Sequence, residues 1–291
     1  MKITNKLNLP QAIVNAITND PYNPGDCDIS ATRLIGPPQI RKLSAEYQDQ
    51  IEEDAIDRIW ALMGQSIHSV LERHGEISPD TIEEWRITGN YPVTDGEERT
   101  FKVSGQIDLI DVDEKTLWDF KVTSVWSVIN GPKPEWIAQL NILADLFRKN
   151  GGEVETLKVC AILRDWTASR AIGNGYPKHQ VVVVDIPLWD VPKAAAYIYR
   201  QIARHFLMDT PPCSDDERWY NGEKWAVMKQ GRKSAVRLYD SREEADAHLE
   251  EAGDSKLYVE HRPGAYRRCE GYCSVARFCP QWKEQLTRKA G

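Results

Sequence analysis

The sequence predicts an α/β (α+β) fold, a mixed central sheet flanked by helices, on three observations. Over the first 210 residues, stretches of helical and strand periodicity follow one another as helix, strand, strand, helix, strand, strand, helix. Cys213, Cys269, Cys273 and Cys279 gather in the last third of the chain. Within that third, about residues 222–262 carry a compact ββαβ pattern. The organisation expected is a core over residues 1–210 and a C-terminal region over 211–291 that holds the ββαβ insertion.

Residues 57–72 have the apolar spacing of an amphipathic helix, with Ile59, Leu62, Met63, Ile67, Val70 and Leu71 expected as a buried stripe. His68 and Glu72, four residues apart, share one face of it. Residues 101–110 and 116–123 are rich in Val, Ile, Leu, Phe and Trp with partial alternation, and the polar stretch 111–115 between them predicts a tight antiparallel connection. A turn centred on Asp113 and Glu114 pairs residues whose numbers sum to 227, so Asp108 faces Asp119. Cross-strand neighbours lie roughly 5 Å apart, and alternation puts Lys121 on the face of Asp119. Two carboxylates that close repel unless a divalent cation lies between them. Lys121 is then placed to orient an attacking water or to stabilise charge on a phosphate, which is the arrangement of metal-dependent phosphodiester hydrolysis.

Residues 135–147 form a second amphipathic helix with Gln139 near its start, set either to hydrogen-bond a substrate or to face solvent. Residues 157–163 and 180–186 read as strands, and 189–208 as a long helix with Ala194, Ala195, Tyr197, Ile198, Ile202 and Phe206 on its apolar face. In the insertion, residues 224–229 and 234–239 read as a hairpin. Ser241 with Glu244 forms a capping box, Gly253 lies just past the helix end, and 256–260 is a last strand. The spacing Cys269-x3-Cys273-x5-Cys279 reads as metal ligation, by zinc or an iron-sulfur cluster. Nothing marks the chain as secreted, which argues against disulfides.

The order of these motifs resembles the RecB-type branch of the PD-(D/E)XK nucleases. Its carriers are Gly64, His68 and Glu72 on a helix, Gly105 and Asp108 on a strand, Asp119 and Lys121 on the next, and Gln139 on the following helix, after an opening segment Ile29-Ser-Ala-Thr-Arg-Leu34. The resemblance implies a restriction-endonuclease-like core in which His68, Asp108, Asp119 and the carbonyl of Phe120 bind Mg2+ or Mn2+, with Lys121 and Gln139 in the catalytic set. Leu143 stands where that branch often has Tyr, and Asp119 where Glu is common. Some members, CRISPR-associated and phage exonucleases among them, hold a 4Fe-4S cluster on one distant cysteine and a C-terminal trio ending Cys-Pro, like Cys279-Pro280 here. Their distant cysteine follows the opening segment, where this chain has Pro37-Pro38, so Cys213 is preferred to Cys27 as fourth ligand. Zinc remains the alternative metal. The implied activity is a deoxyribonuclease that processes DNA ends for recombination or repair, of phage or prophage origin. The alternatives are a structure-selective endonuclease and a non-catalytic DNA-binding or complex-assembly subunit. Implied partners are linear duplex or single-stranded DNA and a single-strand-annealing or other recombination protein.

Composition is that of an ordinary globular protein. With 291 residues, 41% of them hydrophobic, the chain can bury roughly three quarters of its unfolded surface. No apolar run approaches the ~18 residues of a membrane span, and a cytoplasmic location is expected. The net charge of −7 argues against indiscriminate coating of DNA, because sequence-independent affinity comes from Lys and Arg. Local phosphate contacts are expected from Arg33, Arg41 and Lys42, and from Arg267 and Arg268 beside the cysteine trio. In the insertion, Lys229, Arg232 and Lys233 are DNA contacts, a docking surface or solvated turn residues. Trp118, Trp126 and Trp136 flank the central hairpin, to stack on unpaired bases or to pack in the core.

Overall fold

The computed structural model describes residues 2–19, 23–74, 81–95 and 97–290. The chain forms two compact units, one of Met1–Arg41 with Asp49–Pro211 and one of Lys42–Gln48 with Pro212–Gly291.

The first unit begins β1 (Lys2–Thr4), α1 (Gln11–Thr18), β2 (Ile29–Ser30), α2 (Ala31–Leu34), α3 (Pro38–Glu46, whose later residues cluster with the second unit), β3 (Glu52–Asp54) and α4 (Ile59–Glu72). It continues β4 (Thr81–Asp95), β5 (Glu97–Asp111), β6 (Thr116–Thr123), α5 (Trp126–Ile129), α6 (Pro134–Lys149), β7 (Thr156–Leu163), β8 (Val181–Ile186) and α7 (Val191–Ile202). Six strands make a mixed sheet. The long β4 pairs antiparallel with β5 along one edge, from Thr81 with Asp111 to Asp95 with Glu97. The other edge of β5 is divided: β2 pairs parallel at Val103 and Ser104, and β6 antiparallel from Leu109 to Asp111. Beyond β6 come β7, parallel, and β8, antiparallel.

The pairs Leu109 with Trp118, Ile110 with Leu117 and Asp111 with Thr116 have the register read from the sequence. Pairing stops there. From Asp108 and Asp119 onward, β5 turns its edge to β2 while β6 runs along β7, so the two strands part in a fork.

Helix α6 covers one face of this sheet. Its Pro at the first turn and Arg148 and Lys149 in the last suit helix geometry and dipole. Trp136, Leu140, Ile142, Leu143, Leu146 and Phe147 are buried in one core with Ile107, Ile110, Leu117, Leu157 and Val159, each full burial contributing about 1.5–3 kcal/mol before entropy. Gly105 on β5 lies beneath the helix, where a Cβ would stand 2.3 Å from Leu143 Cδ2. Asp190 caps α7 through the Lys193 amide, and the helix ends in a π-turn, Ala203–Leu207.

Helix α4 departs from expectation. None of Ile59, Leu62, Met63, Ile67, Val70 and Leu71 is fully buried, and Met63 and Val70 are exposed. Its packing partners are β6 and α1 at the unit's edge, not a second helical layer, and Trp60 carries the Arg164 guanidinium 4.5 Å over its ring.

The second unit holds β9 (Lys224–Lys229), β10 (Arg237–Tyr239), α8 (Arg242–Ala252), β11 (Leu257–Arg262), α9 (Arg267–Gly271) and α10 (Pro280–Ala290). The inserted ββαβ element forms, with β9 central between β10 and β11 and the second strand confined to Arg237–Tyr239, shorter than the 234–239 read from the sequence. The Ser241 hydroxyl accepts from the Glu244 amide, and Gly253 closes α8 at φ 57°, a left-handed value that favours glycine. Tyr47 stacks on Phe278 at 4.3 Å, which places the 42–48 segment in this unit. No helix among the described residues is long and apolar enough to cross a membrane.

Candidate metal centre at the strand fork

The fork brings the predicted carboxylates together. Asp119, only 2% exposed, sits on β6 where pairing with β5 ends. Lys121 Nζ lies 2.8 Å from each of its oxygens and donates a hydrogen bond to Oδ1. Oδ2 is buried with no hydrogen-bond donor aligned on it. Across the fork, Asp108 Oδ2 accepts the Phe120 amide at 2.7 Å, so a side chain bridges the gap where the ladder has opened. Burial first, then the neighbouring Asp119 charge, push the Asp108 carboxyl up to about 7.

His68 reaches the fork from α4. Its Nε2 lies 3.1 Å from the Phe120 carbonyl, and its Nδ1 lies 3.6 Å from Asp108 Oδ1. A further carboxylate, Glu84 of β4, stands 3.5 Å from the same Nδ1. Glu84 raises the imidazole pKa above its ordinary value, burial opposes, and Asp108 adds to the rise. Among the described residues, His68, Glu84 and Asp108 form a trio that could hold a metal ion, their ligand atoms all within 4.8 Å of one another. Sequence reasoning missed Glu84, because it did not assign a strand to residues 81–95. The signal was present: Asp95-Gly96 before an alternating strand is a strong hairpin dipeptide.

Other expected residues are placed differently. Glu72 is exposed. Gln139 is half-buried on α6 and makes no side-chain hydrogen bond among the described residues, and Leu143 is buried under the sheet. Arg41 does not project as a phosphate contact. Its Nε donates to His205 Nδ1 at 3.1 Å, a second nitrogen donates to the His205 carbonyl, and its guanidinium lies 4.4 Å over Phe206. Arg33, Lys42 and Arg267 are exposed, whereas Arg268 donates to the Glu217 carbonyl at 3.0 Å and stacks on Trp219. Lys229 pairs with Asp254 at 2.8 Å, leaving Arg232 and Lys233 as exposed turn cations. Of the three tryptophans, Trp136 is buried, Trp118 is half-buried under Lys158, and Trp126 is 69% exposed.

All four predicted cluster ligands lie in the second unit, whereas Cys27, whose sulfur accepts from the Ser104 hydroxyl, lies in the first. Cys213 is pushed up to about 12 by burial first, then by Glu217 and by Cys279, Cys273 and Cys269, so the four sulfurs are electrostatic neighbours. Gln281 sets this geometry. Its amide nitrogen donates to the Cys213 carbonyl at 2.9 Å and its amide oxygen accepts from the Cys213 N–H at 3.0 Å, tying Cys213 to the start of α10 just after Cys279.

No family model and no curated protein matches the chain. Among solved structures the chain is similar to one described as "Crystal structure of SSO0001", with 18% identity over 72% of this chain and 90% of that chain and a TM-score of 0.48.

Proposed function

We propose that this chain is a Mg2+- or Mn2+-dependent DNA nuclease with a PD-(D/E)XK-type core, acting on DNA ends for recombination or repair. The observation that carries this reading is the pair Asp108 and Asp119 at the fork, with Lys121 on the same face as Asp119. A buried carboxylate oxygen without an aligned donor, beside a second carboxyl whose pKa is raised by burial and by its charge, fits a hard divalent cation. His68 and the two aspartates would hold that cation. When bound, it supplies Lewis acidity at the scissile phosphate.

The chain's own groups do the rest. Lys121 Nζ is positioned to hold a water for attack or to offset charge on the phosphate. The Phe120 amide fixes Asp108, and the Phe120 carbonyl fixes the His68 ring, so the ligands are set before substrate arrives.

The four cysteines would hold a 4Fe-4S cluster, with one zinc ion as the alternative. Such a cluster would brace the base of the ββαβ element within the second unit.

The test is a panel of end-labelled linear duplex, single-stranded and covalently closed circular DNA, with anaerobically purified protein and either metal. Degradation confined to molecules with ends establishes the exonuclease and its polarity. Cut circles make the protein an endonuclease. DNA that is bound but never cut makes it a binding subunit.

A further inference from the structure

We propose that Glu84 is a ligand of the active-site cation, completing a three-residue subsite with His68 and Asp108. In this geometry the Phe120 carbonyl, expected as a ligand, accepts a hydrogen bond from the imidazole. Because a carbonyl only accepts, His68 Nε2 carries the hydrogen at 3.1 Å, and in the neutral ring Nδ1 presents a lone pair. That nitrogen lies 3.5 Å from Glu84 Oε1 and 3.6 Å from Asp108 Oδ1. Those separations exceed an ordinary N–H···O bond of about 2.7–3.2 Å. They lie at, and just beyond, the upper end of the separation of two ligands of one cation, since N and O at about 2.0–2.2 Å from a metal stand about 3.0–3.5 Å from each other, so a bound ion draws the three groups slightly inward.

Each of the three groups is also locked from outside. Asp108 spends Oδ2 on the Phe120 amide, and His68 spends Nε2 on the Phe120 carbonyl. Glu84 spends Oε2 on the Gln106 amide, whose oxygen accepts from Arg86. One atom of each remains, and the ligand atoms of the three lie within 4.8 Å of one another. Such outer partners are what orient metal ligands. Glu84 adopts φ 45°, a left-handed value unusual for a strand residue, at the position facing Asp108 in the β4–β5 register. Beyond Asp108 lies the second carboxylate of the fork, Asp119, with its buried oxygen lacking an aligned donor.

The assignment rests on the nuclease reading for the cation's purpose but is tested without DNA. Mn2+ is titrated into metal-free protein, with free ion read by electron paramagnetic resonance, for wild type, Glu84→Gln and, as a control, Glu72→Gln on the exposed part of α4. Glu84→Gln is expected to weaken Mn2+ at least tenfold. Glu72→Gln is expected to bind as wild type. If Glu84→Gln does not fold, Gln106→Leu, which removes only the amide that aims Glu84, is titrated in its place and is expected to bind severalfold more weakly. Wild-type affinity in Glu84→Gln, or in Gln106→Leu where that variant stands in, would overturn the assignment and leave the nuclease reading intact. Lost Mn2+ binding in a protein whose wild type cuts no DNA would keep the site and discard the nuclease.

Discussion

Gly105→Ala tests how the fork is held in place. Gly105 lies on β5 three residues before Asp108, so it faces α6 while Asp108 faces the opposite side. Its φ lies outside the left-handed range, so alanine meets no backbone strain, and loss of chain entropy in the unfolded state alone would stabilise the protein by about 0.4–1 kcal/mol. The new Cβ, however, would stand 2.3 Å from Leu143 Cδ2 and 3.1 Å from Leu146 Cδ1, where carbon atoms normally rest about 3.5–4.0 Å apart. Both leucines are buried in a filled core, so relief requires β5 and α6 to separate by about 1 Å, an overpacking that costs about 1–3 kcal/mol. The clash wins. Gly105→Ala should destabilise the first unit by about 1–2 kcal/mol, lowering its melting temperature by about 2–4 °C per kcal/mol in circular dichroism, and should weaken Mn2+ binding through displacement of Asp108. In a Leu143→Ala background, itself costing about 2–5 kcal/mol, the same substitution should become neutral or stabilising. Equal effects in the two backgrounds, or a raised melting temperature in the single variant, would refute the packing argument.

Arg41→Ala should cost about 1–2 kcal/mol, through the lost His205 bonds and Phe206 stacking, and leave DNA affinity unchanged in a filter-binding assay; weaker DNA binding at constant stability would return Arg41 to the phosphate contacts. Mn2+ affinity should fall about tenfold per pH unit below 7 for each proton displaced, because Asp108 is held up to about 7 and the cation must expel its proton. Asp108's folded pKa lies above its unfolded value of 3.8, so the metal-free fold binds that proton more tightly and should lose stability as pH rises from about 4 to 7, a slope that Asp108→Asn removes. Cys213→Ser and Cys279→Ser should each lose iron, acid-labile sulfide and the cluster's visible absorption. One zinc per wild-type chain, with no iron after anaerobic purification, would replace the cluster with a zinc site.

What the sequence disclosed and what it hid have physical reasons. The β5–β6 register was legible because a short polar turn fixes which residues oppose one another, and a period of two leaves no freedom once that turn is placed. The insertion was legible because capping is local chemistry: Ser241, Glu244 and Gly253 act within a few residues of themselves. Burial of α4 was not legible. An apolar stripe at helical spacing shows which face would bury, not whether another layer exists to cover it, and here Met63 and Val70 stay exposed. Glu84 was legible only as far as the Asp95-Gly96 hairpin dipeptide that pairs β4 with β5; that His68 of α4 reaches the same place, no local spacing records. Gln281 was hidden likewise, since its bonds to Cys213 span 68 positions.

The most direct test of the central claim is cleavage of end-labelled linear duplex DNA in Mg2+ or Mn2+ by wild type, Asp119→Ala and Lys121→Ala, each checked for an intact fold. Degradation by wild type that falls at least a hundredfold in both variants is the result predicted by a nuclease centre at the fork. Undiminished degradation by the folded variants would move the chemistry elsewhere in the chain, and a wild type that leaves every end intact would contradict the assignment.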